Sequence, residues 1–391
     1  MTAPGTQAEI ELAVRDAKRP EISPAPPPLQ ESPDERPAAA MSQWQLIRRR
    51  FAKHKLAVAS LYVLALLYLM AVLAEFVAPY TPNRRNIDFS YCPPQLPRLS
   101  LAHGLHTYPM TLHTDPITFR RTYVEQRDAP VPLRLLARGD AYRFWGLFHA
   151  DRHLIAPDGG TFFLLGADKY GRDIFSRIVY GARVSLSVGL IGICFTFLFG
   201  MTLGGVSGYV GGRTDTLIQR LIEILNAFPH LPLWLALAAV LPSDWSPIRI
   251  YFAITILLSL LNWTGLARVV RGKILALREE DYAVAARLLG AGHARVLFRH
   301  LMPGFTSHII VALTLSIPGM ILGETSLSFL GLGLRPPVVS WGVMLQDCMD
   351  VKAVSIYPWL LIPVAFIVTT VLCFNFLGDG LRDAADPYGA R

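Results

Sequence analysis

Two long stretches of the chain, residues 184–212 and 353–378, contain no Asp, Glu, Lys or Arg. A helix in the core of a soluble protein keeps a polar stripe towards water, so charge-free stretches of this length argue against the buried helices of a large soluble domain. Hydrophobic residues make up 52% of the chain and charged residues only 17%. These features predict an integral membrane protein, because the surface of a soluble chain of this size would need far more charge.

Six stretches are apolar and long enough to cross roughly 30 Å of hydrocarbon at about 1.5 Å per residue. We therefore predict an all-α integral membrane protein with six transmembrane helices. Pro229 and Pro232 are expected to kink the third helix, where neighbouring helices must satisfy the freed carbonyl groups. The predicted spans are, approximately, residues 56–77, 184–209, 216–241, 248–266, 305–327 and 357–377.

Basic residues crowd the start of the first predicted span. By the positive-inside rule they place the N-terminus in the cytosol, and six crossings then place the C-terminus there too. The same count puts the basic loop 267–304 in the cytosol. It puts the long segment between the first two spans outside, because loops above about 60 residues translocate largely regardless of charge. The basic residues at the first span are Arg48, Arg49, Arg50, Lys53 and Lys55.

Composition divides the chain into four parts. Residues 1–40 are rich in Pro, Ala and Glu and lack an apolar signal-peptide core, which predicts a disordered cytosolic tail. Residues 41–79 hold the N-terminal transmembrane helix, and residues 166–387 form the main transmembrane domain with its cytosolic loop. Residues 80–165 are predicted to be a small folded extracytoplasmic insertion. This insertion is either a passive elaboration of a loop or a surface for an extracytoplasmic partner.

The segment DKYGRDIFSRIVYGAR, residues 168–183, precedes the second span. Ile174, Ile178 and Val179 fall on one helical face, and the arginines of the segment fall elsewhere. This pattern predicts an amphipathic helix that lies along the outer membrane interface.

The cytosolic loop contains the run EEDYAVAARLLGAGHARVLFRHLMP, residues 279–303. Within it Tyr282, Ala285, Ala286 and Leu289 recur at helical spacing, which predicts a helix with a small apolar face. Small side chains on that face would let another surface approach the backbone closely.

Glycines then interrupt this helix. Gly290 and Gly292 break it at modest cost, residues 293–301 resume it, and Pro303 is expected to end the second helix where the membrane begins again. The sequence therefore predicts a helix-turn-helix element that projects from the bilayer and could fit a groove in another protein. An ordinary connecting loop is the alternative.

Two features inside the spans are candidates for a special role. Gly200, Gly204 and Gly208 form overlapping G-x-x-x-G steps, which predict close helix packing, with lining of a pathway as the alternative. Glu324 lies within the fifth span, and an acid at membrane depth usually faces protein or water. It is a candidate pathway residue, and structural hydrogen bonding is the alternative.

Sites for metals, redox chemistry and ATP lack their signatures. The cysteines contain no C-x-x-C pair, although a disulfide between Cys92 and Cys348 fits their predicted place on the outer face. The histidines show no H-E-x-x-H spacing, so no metal site is predicted, and no G-x-x-x-x-G-K-[ST] loop for ATP occurs. The net charge of +8 follows from the inward-facing loops, so nucleic-acid binding is not needed to explain it.

The cytosolic loop resembles the signature of the inner-membrane permease subunits of binding-protein-dependent ABC importers. That signature reads EAA, three residues, Gly, nine residues, then I-x-L-P. Here Ala285, Ala286, Gly290 and Pro303 keep the spacing. The acid of the signature and its aliphatic pair are replaced by Val284, His300 and Met302.

Much of the chain is similar to the C-type permease of the oligopeptide, dipeptide and nickel branch of that family. Five segments match in the right order and cover most of residues 166–387. They are GADKYGRDIFSRIVYGARVSLSVG from Gly166, AFPHLPL from Ala227, ARVVRGKIL from Ala267, GETSLSFLGLGLRPPVVSWG from Gly323 and GDGLRDAADP from Gly378.

The resemblance implies a type I ABC importer permease fold in the cell's inner (cytoplasmic) membrane. Its loop would act as a coupling helix that docks into an ATPase subunit. The implied partners are a homologous second permease, two ATP-binding subunits and an extracytoplasmic substrate-binding protein. ATP and Mg would be bound by the ATPase, so this chain would be a transport subunit without a cofactor and not an enzyme. The implied ATPase-coupling residues are Tyr282, Ala285, Ala286, Leu289, Gly290 and Pro303.

The substrate is less constrained than the family. Members of the branch carry short peptides, nickel complexes, opines or oligosaccharides, and we favour peptides. A secondary transporter is the next class, but it would call for inverted repeats and a charged site at the membrane midplane. A membrane enzyme would call for a nucleophile elbow, paired carboxylates or metal-ligand spacing, none of which the sequence contains.

Overall fold

The spanning segments are helical because hydrocarbon offers backbone groups no hydrogen-bond partner, so each segment must bond its own N–H and C=O groups. The computed structural model describes residues 43–114, 116–117, 121–242 and 244–385. Within them, five helices are long and apolar enough to cross a bilayer, and a bent helix pair supplies a sixth span if it is counted as one. The predicted tail, residues 1–40, lies outside the described residues.

The first span is α2, Lys55–Val72, which follows the basic helix α1, Gln43–Lys53. The second is α4, Ile174–Val210, and it pairs with the long α7, Pro247–Leu277. The remaining helices are α3 Ala74–Val77, α5 Gly212–Ala227, α6 His230–Ala239, α8 Asp281–Leu288, α9 His293–Arg295, α10 Thr306–Phe329, α11 Trp341–Leu345, α12 Val351–Ile356 and α13 Ile362–Ala385.

The third predicted span is broken and not merely kinked. Helices α5 and α6 meet at 87°. Phe228, which ends α5, is in the extended conformation (ψ 139°), and Pro229 follows it. A residue that precedes proline is pushed out of the helical region, so the chain turns at this point.

The described residues of the insertion between the first two spans contain eight short strands, all paired antiparallel. Four of them form a sheet in the order β1-β2-β5-β8, and β3–β4 and β6–β7 form separate hairpins. The strands are β1 Arg98–Ser100, β2 Gly104–Thr107, β3 Met110–Thr114, β4 Arg121–Glu125, β5 Val131–Leu135, β6 Arg138–Phe144, β7 Phe148–Arg152 and β8 Ile155–Pro157.

The prediction of a separate interfacial helix at residues 168–183 is wrong, because most of that segment is the first part of the spanning helix α4. Two of its arginines, Arg172 and Arg177, do not face water. Arg177 is 2% exposed and forms an ion pair with the buried Asp168, and Arg172 Nε lies 2.6 Å from the same carboxylate. Because internal acids pair with these two arginines, they are buried, although Lys169 and Tyr170 in the same segment remain exposed.

The N-terminus of α4 is capped by the buried Asp173, whose carboxylate accepts hydrogen bonds from the Ser176 backbone N–H and hydroxyl. Burial raises the pKa of this carboxyl to about 6. The cap fixes the point at which the chain leaves the insertion and enters the membrane.

The predicted close packing at Gly200, Gly204 and Gly208 is confirmed. A Cβ atom placed on Gly204 would lie 2.5 Å from the carbonyl oxygen of Ala267, and one on Gly208 would lie 2.9 Å from that of Arg271. The backbones of α4 and α7 are therefore in contact along this line, which we call the glycine seam.

The cysteines are all free thiols, so the disulfide considered between Cys92 and Cys348 is not present. Cys92 packs in an apolar cluster of the insertion with Tyr80 and Phe163, whereas Cys348 lies against a different cluster that contains Leu360. Burial raises the pKa of Cys348 to about 11. Both thiols are therefore neutral and behave as small apolar side chains.

We expect Gly204→Ala to destabilise the chain by about 1–3 kcal/mol, because the added methyl group overpacks the glycine seam. Gly272→Ala is the matched control, since Gly272 is also in a spanning helix but has open space at its Cβ position. Alanine favours a helix over glycine by about 1 kcal/mol, so the control should be neutral or slightly stabilising. The measurement is the thermal unfolding midpoint in detergent, and equal midpoints for both variants would contradict the packing argument.

Candidate functional site

Helix α8 projects from the membrane-spanning bundle at the end opposite the insertion. It follows α7 after a tight turn in which the carbonyl of Glu280 accepts hydrogen bonds from the N–H groups of Ala283 and Val284. Asp281 lies in its first turn, where an acid interacts favourably with the helix dipole.

The end of α8 is a Schellman motif built on Gly290. The N–H of Gly290 bonds to the carbonyl of Arg287 at 2.9 Å, and that of Ala291 bonds to the carbonyl of Ala286 at 3.0 Å. Gly290 has φ +83°, in the left-handed region that a side chain disfavours. Gly292 has φ −65° and makes no such demand on its residue type.

One face of α8 is buried where three spans meet. Ala283 is fully buried and Ala286 packs against the same cluster. The cluster draws residues from α4, α7, α8 and the segment leading into α10, so α8 is packed directly against these elements. Its buried members are Met201, Leu266, Val270, Ile274, Ala283, Val296, Leu297, Leu301, Met302, Phe305 and Ile309.

Hydrogen bonds also connect α8 and the turn after it to the ends of α4 and α7. The guanidinium of Arg287, on α8, donates to the carbonyl of Arg278 at 2.8 Å. Arg278 in turn donates to the carbonyl of Gly208, at the end of α4, at 3.2 Å. The ring of His293 lies 3.3 Å from the hydroxyl of Tyr209, which ties the other side of the turn to α4.

An ion pair holds α5 to α7 at the same end of the bundle. Arg271 Nε and Nη2 each lie 2.6 Å from a carboxylate oxygen of Asp215, a bidentate arrangement. Ser207, on α4, donates to the same carboxylate and accepts a hydrogen bond from Gln219. The ends of α4, α5 and α7 therefore form one connected polar network beside α8.

The opposite face of α8 presents apolar side chains to the surface. Leu288 is 84% exposed, Leu289 is 88% exposed and Tyr282 is 45% exposed. Phe298, which lies beyond α8 in the segment Val296–Leu301, is 55% exposed. Partial burial, together with the charge of Glu280, raises the pKa of the Tyr282 phenol, so the ring is neutral at physiological pH. Adjacent exposed leucines on a rigidly held helix are typical of an interaction surface.

The structure separates the residues that were predicted to share one small apolar face. Tyr282, Ala285 and Leu289 are exposed, whereas Ala286 faces the buried cluster. Leu288 and Phe298 were missed, although Leu288 immediately precedes a predicted residue and is just as apolar. The exposed face of α8, defined here by Tyr282, Ala285, Leu288 and Leu289, is the candidate docking face.

The prediction that Pro303 ends the second helix is wrong. Residues from His293 to Phe329 follow one continuous helical path. The path passes through a π-helical segment at Val296–Leu301 and a 3₁₀ turn at Met302–Phe305, which contains Pro303. These local changes of helical pitch accommodate the missing N–H of proline without stopping the helix.

Glu324 is fully buried in α10, at the other end of the bundle. The hydroxyls of Ser328 and Ser340 each donate to its Oε1 at 2.8 Å, and that of Ser185 donates to Oε2 at 3.4 Å. Ser185 also accepts a hydrogen bond from the N–H of Trp341. The carboxyl group therefore joins α4, α10 and α11, which favours the structural alternative over contact with a pathway.

Metal-binding clusters of three or more His, Cys, Asp or Glu side chains are absent from the described residues. The site contains ion pairs, buried apolar contacts and an exposed apolar face.

Comparison with known families gives two matches, which cover separate parts of the chain. Residues 200–388 match the family described as binding-protein-dependent transport system inner membrane component. Residues 42–94 match the N-terminal transmembrane domain of oligopeptide transport permease C.

Similar proteins occur in several bacteria. The dipeptide transport system permease protein of Bacillus subtilis is 32% identical over 348 residues, which is 89% of this chain and 87% of that protein. The oligopeptide transport system permease protein of Haemophilus influenzae is 33% identical, covering 88% of this chain and 89% of the relative. That of Bacillus subtilis is 42% identical over 63% of this chain and 77% of the relative.

We expect Gly290→Ala to destabilise the α8 turn by about 1 kcal/mol, because a side chain is strained at φ +83°. Gly292→Ala, at φ −65°, is the matched control and should be neutral, since both glycines have open space around them. Hydrogen exchange of the amides in residues 281–295 would measure the effect. Equal protection in the two variants would contradict the proposed role of the left-handed glycine.

Proposed function

The chain belongs to the family of binding-protein-dependent transport system inner membrane components, and on that premise we propose that it couples transport of peptides to a separate ATP-binding subunit through α8. One observation carries the proposal. The helix exposes two adjacent leucines on one face and buries the other face where three spans meet.

Docking of an ATPase on Tyr282, Ala285, Leu288 and Leu289 fits the physical character of this face. Ala285 lets a partner approach the helix backbone, and the exposed leucines supply apolar area that only a partner would bury. A force applied there reaches α7 through Ala283 and reaches α4 through Arg278.

The coupling is an equilibrium between two arrangements of the bundle. A partner shifts that equilibrium only by as much as its affinity differs between the two arrangements. ATP and Mg, bound by the ATPase, would favour one arrangement from one side of the membrane, and a loaded binding protein would act from the other. In this proposal a homologous second permease and two ATP-binding subunits complete the complex, and this chain carries no cofactor and no catalytic residue.

The proposed orientation has both termini in the cytosol and the insertion outside. The basic residues of α1 support it, as does the position of α8 at the bundle end opposite the insertion. In this orientation α8 faces the compartment that supplies ATP. The membrane is the inner, cytoplasmic membrane of the cell.

Peptides are the proposed cargo because the similar proteins carry the names of dipeptide and oligopeptide permeases. Nickel complexes, opines and oligosaccharides are the alternatives within this type of permease. Mass spectrometry of the ligand that co-purifies with the binding protein would distinguish them. A sugar, opine or nickel ligand would overturn the peptide assignment and leave the coupling proposal intact.

We expect Leu289→Glu to abolish co-purification of the ATPase, since a charge would be placed at the centre of an apolar contact. Loss of such a contact typically costs about 2 kcal/mol or more, which is well over tenfold in affinity. Leu289→Met keeps an apolar side chain and is the matched control. Because Leu289 is 88% exposed, neither variant should change the thermal midpoint of the chain. Full ATPase recovery with Leu289→Glu would contradict the docking face.

We expect Gly290→Asp to uncouple ATP hydrolysis from uptake while the protein remains in the membrane. The left-handed backbone at this position is strained by any side chain, and the added charge lies beside the docking face. Uptake and ATP hydrolysis would be measured together in proteoliposomes. Uptake at the normal rate would show that the coupling role is assigned to the wrong residues.

A further inference from the structure

The tip of the β6–β7 hairpin in the insertion exposes an unusual group of side chains. Trp145 is 50% exposed, Leu147 is 75% exposed and Phe148 is 67% exposed. Three large apolar residues within four positions of a turn form a contiguous patch, and such patches mark contact with a partner or a membrane. We call these three residues the hairpin tip.

The hairpin tip lies at the end of the first span. The indole N–H of Trp145 donates to the carbonyl of Val72 at 3.0 Å, and Val72 is the last residue of α2. At about 1.5 Å per residue, α2 is close to the thickness of the hydrocarbon, so Val72 lies where hydrocarbon gives way to headgroups. Trp145 is therefore at the depth where tryptophan is enriched in membrane proteins.

Several contacts fix the hairpin tip in this place. The backbone N–H of Trp145 lies 3.3 Å from the carboxylate of Glu75, in α3. The guanidinium of Arg183, which also pairs with Glu75, lies 4.2 Å from the centre of the Trp145 ring. Trp145 itself has φ +50°, which a bulky residue adopts only when its surroundings enforce it. The turn is held against α2 and α3 at some conformational cost.

The surface of α2 continues the apolar patch of the hairpin tip into the membrane. Leu66 is 56% exposed, Leu69 is 55% exposed and Val72 is 47% exposed along this helix. These residues belong to a span, and within the part of the chain that the structure describes about half of each side chain is left uncovered. The patch therefore adjoins a surface that the hydrocarbon itself covers.

We propose that the hairpin tip inserts into the outer boundary of the lipid bilayer and anchors the insertion to the membrane surface. Leu147 and Phe148 enter the acyl region beside α2, and the indole of Trp145 remains at headgroup depth. Arg143, which precedes the turn and is exposed, is placed to meet lipid phosphate groups. The insertion is thus held in one orientation relative to the membrane surface.

The test measures the depth of a nitroxide label in liposomes. Cys194 and Cys348, the cysteines that are not buried, are replaced by alanine, and Leu147→Cys or Phe148→Cys supplies the labelling site. The full-length chain, with the subunits that co-purify with it, is reconstituted into phosphatidylethanolamine and phosphatidylglycerol liposomes. Power-saturation measurements then compare the accessibility of the label to oxygen, which partitions into lipid, with its accessibility to a water-soluble nickel chelate.

Leu101→Cys is the matched control. Leu101 is fully exposed next to β1, which is at the opposite edge of the four-stranded sheet from β8, the strand that follows the hairpin. We expect the labels at positions 147 and 148 to be more accessible to oxygen than to nickel, and the label at position 101 to show the reverse.

Two results would overturn the proposal. Higher accessibility to nickel at positions 147 and 148 would place the hairpin tip in water. Low accessibility to both reagents would place it in a contact with another subunit or a binding protein. Because two separate label sites are used, failure of one variant to fold leaves the other to decide the outcome.

Discussion

Close contact between α4 and α7 along the glycine seam positions the rest of the bundle. Apolar side chains gain no burial from water inside a bilayer, so helices associate there through van der Waals contact and short hydrogen bonds. Gly204 and Gly208 bring the two backbones together, and this places the carbonyl of Gly208 within reach of Arg278. Helix α8 follows Arg278 in the chain, so the contact between α4 and α7 also determines where α8 lies.

Ion pairs lie at both ends of the bundle. At one end, Asp215 and Arg271 join α5 to α7. At the other, Asp168 neutralises Arg172 and Arg177 where the insertion enters the membrane domain. Isolated buried charges would be very unfavourable, so these pairs fix which helices meet at each end of the bundle.

The insertion is tied to the membrane domain and is not a loose loop. The segment that leaves α2 is bonded to the β6–β7 hairpin through Glu75, and Arg183 of α4 reaches the same carboxylate. These contacts fix the position of the β6–β7 hairpin at the end of the first span. This gives the insertion a defined orientation relative to the first two spans.

The sequence by itself determined the class of protein and the family. It did so because an absence of charge over residues 184–212 and the spacing of Ala285, Ala286, Gly290 and Pro303 are properties of local chemistry. The glycine seam was also predictable, because glycines at every fourth position of a spanning helix by themselves indicate close packing with another helix.

The tertiary structure alone decided which surfaces are buried. Residues 168–183 have the periodicity of an interfacial helix, yet Asp168 and Asp347, distant from each other in the sequence, neutralise the arginines and bury them. Ala286 and Leu289 share a helical spacing, but the packing of α8 against three other helices turns the first inward and leaves the second exposed. Periodicity shows that a face exists, whereas the partners that cover it come from remote parts of the chain.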